Sequence, residues 1–137
     1  FDGYGFGSTA LNTVPDVSNW ETSSVTDMSK MFSWCESLKS LDLSNFDTSN
    51  GQKMPSMFYG NDKLAYLNLG TKFNTTSVTT MNHMFANCKS LTSMNFGLYD
   101  FDTSLNTMMD NLFSFCNNFS RKENNYYVGR RFFGRRD

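Results

Sequence analysis

One signature recurs four times in the 137-residue chain, and it decides how the other residues are interpreted. Its form is Met-x-x-Met-Phe, with leucine in place of the second methionine in the last copy. The copies end at Phe32, Phe58, Phe85 and Phe113, so they are spaced 26, 27 and 28 residues apart. A period of this size predicts stacked repeats, because one unit alone cannot bury its apolar face. We therefore expect the methionines and phenylalanines of the signature to form a core rather than a reactive site.

Two periodicities alternate within each unit. Val25, Met28, Phe32 and Cys35 are separated by three, four and three residues, a spacing that predicts a short helix with one apolar face. Residues 38–43 then follow a Leu-x-x-Leu-x-Leu pattern, whose alternation predicts a short strand ending in a polar turn. The predicted fold is an α/β repeat, a leucine-rich-repeat-like solenoid of about four 26–28-residue units. Each unit is expected to contain a short strand, a turn and a short helix.

Composition divides the chain into three segments. Residues 1–13 are rich in glycine and aromatic residues and predict an N-terminal cap or linker, residues 14–120 form the repeat solenoid, and residues 121–137 form a basic, aromatic tail or cap. Counting Lys and Arg against Asp and Glu, residues 1–120 carry 6 positive and 11 negative charges, or −5. Residues 121–137 carry 6 positive and 2 negative charges, or +4, and include every arginine of the chain.

The three cysteines occupy one repeat position, three residues after the signature phenylalanine. They are Cys35, Cys88 and Cys116, with Asn61 in the second copy. An odd number without a Cys-x-x-Cys spacing disfavours a disulfide framework and a zinc site. We expect buried, unpaired thiols. Cys88 and Cys116 belong to neighbouring units, so that one pair could still bond.

A threonine also recurs, at the polar turn of each unit. We expect this column to cap backbone groups of the turn. Its members are Thr22, Thr48, Thr75 and Thr103.

Residues 25–50 read VTDMSKMFSWCESLKSLDLSNFDTSN and closely resemble a known 26-residue repeat. This is the bacterial surface-protein repeat of mycoplasma, Listeria and Lactobacillus lipoproteins and cell-wall proteins, a BspA-like relative of the leucine-rich repeats. The resemblance covers roughly residues 14–119. It implies a solenoid on a secreted or surface protein with a role in adhesion. Residues 51–55, GQKMP, depart from the repeat, and the arginine-rich tail has no counterpart in it.

The sequence contains no recognisable catalytic set. His83 is the only histidine, lacks a nucleophile-and-acid pattern around it, and is expected at the surface. No phosphate-binding loop or dinucleotide fingerprint is present. No run of about 18 apolar residues predicts a membrane span. We therefore predict a protein that is not an enzyme, with no cofactor and no metal site.

Two regions remain as candidate binding surfaces, because the repeat does not dictate their residues. The first is the solvent side of the stacked strands, where two polar columns are expected. They comprise Ser40, Tyr66 and Ser93, and Asp42, Asn68 and Asn95. Such a strand face is a frequent binding surface of solenoids, although a plain solvated face with amide ladders is the alternative.

The second candidate surface is the tail, which mixes arginine with aromatic residues. It could dock as a capping hairpin, bind a partner chain or assemble with copies of itself. Binding of nucleic acid is disfavoured, because the acidic body would repel phosphate. The candidate residues are Tyr126, Tyr127, Arg130, Arg131, Phe132, Phe133, Arg135 and Arg136.

The sequence thus predicts a non-enzymatic, secreted or surface repeat protein for adhesion or protein recognition. Its partner would be a protein or a glycan on another cell or matrix. The alternative is a structural subunit, because solenoid ends and the opposite charges of body and tail could drive end-to-end assembly into a filament or shell.

Overall fold

The chain stacks its repeats in parallel, as the fourfold signature predicts. The computed structural model describes residues 16–95, 108 and 110–118. Isolated parallel bridges join Asp27 to Lys53, Lys53 to Thr80 and Thr80 to Met108. We therefore number the rungs of the stack from these residues. The first rung spans residues 27–52, the second 53–79, the third 80–107, and the fourth begins at 108; residues 16–26 belong to a partial rung before the first.

One short strand from each of the first three rungs forms a parallel sheet in the order β1-β2-β3. The strands are β1 (Ser40–Asp42), β2 (Tyr66–Asn68) and β3 (Ser93–Asn95). Leu41 pairs with Leu67, and Leu67 pairs with Met94, so each strand is displaced from the next by one repeat. These three central side chains are buried, whereas Ser40, Asp42 and Tyr66 beside them are exposed, in agreement with the alternation seen in the sequence.

The predicted helix is wrong, and with it the α/β solenoid of strand-turn-helix units. None of the described residues forms a helix, and the strands of the sheet are the three above. Residues 28–34 instead form consecutive turns whose amides bond across rungs. The N–H groups of Met28, Lys30, Phe32 and Trp34 donate to carbonyls of the second rung at 2.7–3.0 Å. An α-helix would direct each of these groups to the carbonyl four residues earlier in the same segment.

Positive φ angles explain why the turns cannot continue as a helix. A left-handed residue in each turn reverses the local sense of the chain, which a right-handed helix does not tolerate. These residues form two columns in register with the signature. One column is Lys30, Ser56, His83 and Asn111, and the other is Trp34, Gly60, Asn87 and Phe115. Apolar residues three and four apart still share one side, which is why the sequence resembles a helical face.

The core confirms that the signature is structural. Phe32, Phe58, Phe85 and Phe113 stack in one column, with ring centroids 5.8, 5.3 and 4.9 Å apart and planes within 10° of parallel. The methionines at both positions of the signature are buried in the first three rungs. Phe58 and Phe85 therefore bury both ring faces against the rungs before and after them, and burial of this kind contributes about 1.5–3 kcal/mol per large side chain.

Buried threonines join the polar turns of neighbouring rungs, in agreement with the predicted capping role. The Thr48 hydroxyl donates to the carbonyl of Asn74 at 2.9 Å and accepts from the Asn74 amide at 2.6 Å. Thr22 forms the same pair of bonds with Asp47, at 3.1 and 2.9 Å. Thr75 is also buried, whereas Thr103 lies outside the described residues. One threonine hydroxyl thus bonds to both the amide and the carbonyl of a single turn residue in the next rung.

A second buried column contains the cysteines and Asn61. The three thiols are free and buried, as predicted, so Cys88 and Cys116 are not joined by a disulfide. The thiols of Cys88 and Cys116 donate to the carbonyls of Phe58 and Phe85 in the preceding rung, at 3.1 and 2.9 Å. The Asn61 side-chain amide performs the same role on Phe32, at 2.9 Å.

The structure does not describe residues 1–13 or 121–137, so the predicted N-terminal cap and the predicted C-terminal tail stay predictions.

Replacing Thr48 with valine should lower the free energy of unfolding by about 1–3 kcal/mol. The shape of the side chain is kept, but the partly buried amide and carbonyl of Asn74 lose their partner. Chemical denaturation measures the change. Thr26→Val at an exposed position is the matched control and should stay within about 0.5 kcal/mol of the parent. Equal losses for the two variants would contradict the bridging role.

Replacing Asn61 with cysteine should stabilise the protein. The Asn61 Oδ1 atom is buried without a hydrogen-bond partner, which costs about 1–3 kcal/mol, and a thiol could still donate to Phe32 as Cys88 does to Phe58. Thermal unfolding should show a rise in Tm of a few degrees. Asn61→Ala, which leaves no donor for Phe32, should lower Tm instead. If cysteine proved as damaging as alanine, the orphan oxygen would not be the dominant cost.

Candidate functional site

The strand face carries the six predicted residues in the two predicted columns. Ser40 pairs with Tyr66, and Tyr66 pairs with Ser93. Beside them, Asp42 pairs with Asn68, which in turn pairs with Asn95. Ser40 and Asp42 are exposed, and Tyr66 is 44% exposed. The register is therefore as the sequence predicted, while the binding role of these residues stays a prediction.

The Asp42 column also has a structural task. Asp42 Oδ1 accepts from the Ser44 amide at 2.8 Å, and Asn68 Oδ1 accepts from the Gly70 amide at 3.0 Å. Asp16, in the partial rung, accepts from the Ser18 amide in the same way. These bonds close a tight turn at the end of each strand. Asn68 Nδ2 also donates to Asp42 Oδ1 at 3.3 Å, which links the first two members of the column. Each of these side chains therefore uses one oxygen internally.

A second column of turn-closing side chains lies further along each rung. Asp47 Oδ1 accepts from the amide and hydroxyl of Ser49 at 3.0 and 2.7 Å. Asn74 Oδ1 accepts from the amide and hydroxyl of Thr76 at 2.7 and 2.6 Å. Aspartate and asparagine thus alternate at one position with the same geometry. The bond made does not depend on the charge of the acceptor.

These hydrogen bonds control the ionisation of the carboxylates. The Ser44 hydroxyl and amide hold the pKa of Asp42 below its ordinary value, and those of Ser18 do the same to the pKa of Asp16. The Ser49 hydroxyl and amide likewise lower the pKa of Asp47. A bond to the charged form favours that form. The carboxylates of the strand face are therefore fully ionised at neutral pH.

A cleft of about 280 Å³ opens beside β1, between the partial rung and the first rung. Its polar lining includes Ser40 and Asp42 from the predicted strand face, together with Asp16 from the partial rung. Val17, Leu38 and Leu41 add apolar surface. The side-chain amide of Asn45, which also lines the cleft, donates to the Ser18 carbonyl at 2.8 Å and so links the first rung to the partial rung. The cleft thus offers hydroxyl, carboxylate and apolar groups within a volume slightly below that of a small-molecule site.

A second surface was missed by the sequence analysis because the segment was interpreted as a helix. It lies on the consecutive turns of the signature segment and is aromatic. The Trp34 and Tyr59 rings meet nearly at right angles, with centroids 5.2 Å apart. Tyr59 also contacts the ring of His83 edge-on at 6.3 Å. The sequence did offer one signal for this surface. The position two residues after the signature phenylalanine holds two aromatic residues and two residues that favour a positive φ, namely Trp34, Gly60, Asn87 and Phe115.

His83 lies half-buried on this aromatic side rather than fully exposed as expected. Its Nε2 atom is 3.3 Å from the Asn111 side-chain amide of the next rung. Its main structural feature is a left-handed backbone with φ of 56°. The ring therefore occupies a position dictated by the turn, between an aromatic ring and an amide.

Two of the buried thiols are held in the protonated form by their surroundings. Burial raises the pKa of Cys35 to about 11. The hydrogen-bonded thiol of Cys116, together with burial, holds the pKa of Cys88 well above its ordinary value. Because the thiolate is the nucleophile and the metal ligand, Cys35 and Cys88 are unreactive at neutral pH. Within the described ranges, no three His, Cys, Asp or Glu side chains are grouped as a metal site would require.

Part of the predicted site lies outside the residues that the structure describes. The tail residues from Tyr126 to Arg136 are outside the described residues, so their binding role is a prediction only. For Asn95 the structure gives the backbone pairing alone. In the part of the chain that is described, no helix has the length and apolar character to cross a membrane.

Comparison with known proteins identifies a family. The family model described as "Mycoplasma protein of unknown function, DUF285" matches residues 4–126, about nine-tenths of the chain. No curated protein matches the chain. No solved structure matches it either.

Replacing Asp27, Asp42 and Asp47 together with asparagine should flatten the acid dependence of stability. A hydrogen bond from a serine lowers the pKa of each of these carboxylates in the folded state. Each ionised carboxylate therefore stabilises the fold at pH values above the ordinary pKa, and this contribution is lost as the pH falls through the lowered pKa. Asparagine keeps the acceptor, as Asn68 and Asn74 do. Tm measured between about pH 5 and pH 2.5 should therefore fall less in the triple variant. An unchanged slope would show that other groups control acid unfolding.

Proposed function

The chain belongs to the DUF285 family of mycoplasma proteins, and we propose that it is a non-enzymatic surface or secreted repeat protein. In this proposal it recognises a protein or a glycan on another cell or matrix. Its repeat strings resemble the BspA-like surface-protein repeats, and that likeness supports a surface or secreted location.

The observation that carries the proposal is the cleft beside β1. It lies on the strand face and is lined by two of the residues predicted there, Ser40 and Asp42. A wall of hydroxyls and ionised carboxylates next to apolar side chains is suited to a ligand with polar edges and an apolar face. A sugar residue or a short polar peptide has this character. The half-exposed Tyr66 of the next rung extends the surface along the stack.

The chemistry of the cleft favours binding over catalysis. A general acid acting near neutral pH needs a raised pKa, whereas Asp16 and Asp42 have lowered values. Both side chains also accept bonds from the backbone of their own turns, which holds them in place. Fixed, ionised acceptors recognise the hydroxyl or amide donors of a ligand without transferring protons to it.

A matched pair of substitutions tests the proposal without disturbing the turns. Ser40 and Ser93 occupy the same column as Tyr66, so the fold already accommodates a tyrosine at this position. Ser40→Tyr would fill the cleft, whereas Ser93→Tyr changes the same column two rungs away. On a glycan and protein array, we expect Ser40→Tyr to weaken binding at least about tenfold, a loss of about 1.4 kcal/mol.

The Ser93→Tyr variant should bind like the parent chain in the same array. Equal binding by the two variants would remove the cleft from the proposal. Turnover of a captured ligand by the parent chain would contradict the non-enzymatic assignment itself.

A further inference from the structure

Trp34 and Tyr59 form an aromatic corner on the turns of the signature segment. Trp34 is 48% exposed, an unusual state for the largest apolar side chain. One side of its indole lies on the backbone of Gly60 in the next rung, where an added Cβ would come within 2.7 Å of Trp34 Cε3. Tyr59 stands against it at 75°. The indole is thus held in place from the side of the protein and open to solvent elsewhere.

The backbone at Trp34 is costly for a bulky residue. Its φ is 59°, and the equivalent residues of the next three rungs, Gly60, Asn87 and Phe115, also have a positive φ, which glycine and asparagine tolerate best. The left-handed conformation is therefore a requirement of the turn and does not by itself point to binding. What points to binding is the exposed indole held against Gly60 and Tyr59.

The chemistry of the corner suits a planar cation. Aromatic faces attract guanidinium groups, and tryptophan does so most strongly. Two exposed carboxylates lie at successive rungs, Glu36 two residues after Trp34 and Asp62 two residues after Gly60. The exposed Lys63 and Lys89 on the same turns offset their charge. Net charge alone would therefore not select a ligand here, and a side chain that also stacks on the indole is favoured.

The chain itself supplies such side chains. All of its arginines lie in residues 121–137, a segment of charge +4, while residues 1–120 carry −5. We propose that the Trp34–Tyr59 corner binds an arginine of the segment 121–137 of a second copy of this chain. The overall charges bring body and tail together, and stacking on Trp34 makes the contact specific. This contact joins different surfaces of the two copies, so it can be repeated from copy to copy.

The test uses full-length chains that each lack one half of the contact. The corner variant is Trp34→Asn, because Asn87 shows that asparagine fits this backbone position. The tail variant replaces Arg130, Arg131, Arg135 and Arg136 with glutamine. Sedimentation velocity at low salt should show concentration-dependent association of the parent chain, weakened by added salt. Each variant alone should associate at least about tenfold more weakly.

An equimolar mixture of the two variants should restore one contact and stop at a heterodimer, since each partner keeps a different half. Phe115→Asn, which removes an exposed aromatic residue from the equivalent turn position of the fourth rung, should associate like the parent chain. The proposal is overturned if the parent chain is monomeric throughout, if Trp34→Asn associates like the parent, or if the mixture stays monomeric. None of these results bears on the strand-face cleft, which the array experiment tests separately.

Discussion

Backbone hydrogen bonds between rungs are the interaction on which the rest of this structure depends. In every described pair of rungs, four amides of the turn segment donate to carbonyls of the next rung at 2.7–3.0 Å. The second rung bonds to the third from Met54, Ser56, Phe58 and Gly60, and the third bonds to the fourth in the same way. An isolated unit would leave these groups to water and its apolar face exposed. Stability therefore resides in the interfaces, as expected for a repeat protein.

The polar side chains complete this backbone network instead of standing apart from it. The threonine hydroxyls bridge the turns, the Cys88 and Cys116 thiols and the Asn61 amide bond to carbonyls of the phenylalanine column, and the aspartates close the turns after the strands. This internal use limits which residues can serve a ligand. On the strand face, the exposed residues available to a ligand are Ser40, Asp42 and Tyr66. On the turn side, the exposed aromatic residues Trp34 and Phe115 are the ones that the fold explains least.

The sequence analysis predicted the strand register and the buried signature because both follow from a constant period. Residues one repeat apart must pair when identical units stack, whatever the units contain. The helix was mispredicted for a physical reason: consecutive turns place residues three and four apart on one side, just as a helix does. The deciding feature, a positive φ at Lys30 and Trp34, has no signal in those residue types. At the position equivalent to Trp34, Gly60 and Asn87 are the two residues whose types indicate a positive φ.

By itself, the sequence determined the repeat length, the stacking, the core residues and the two polar columns of the strand face. Apolar side chains that recur at a fixed period are buried when the units stack in register, so these features follow from the sequence alone. Only the tertiary structure decided where the amides point, and hence that the signature segment is a series of turns. It also decided that a cleft opens between the partial rung and β1 and that Trp34 and Tyr59 meet at a corner. These depend on contacts between residues of different rungs, which local spacing does not encode.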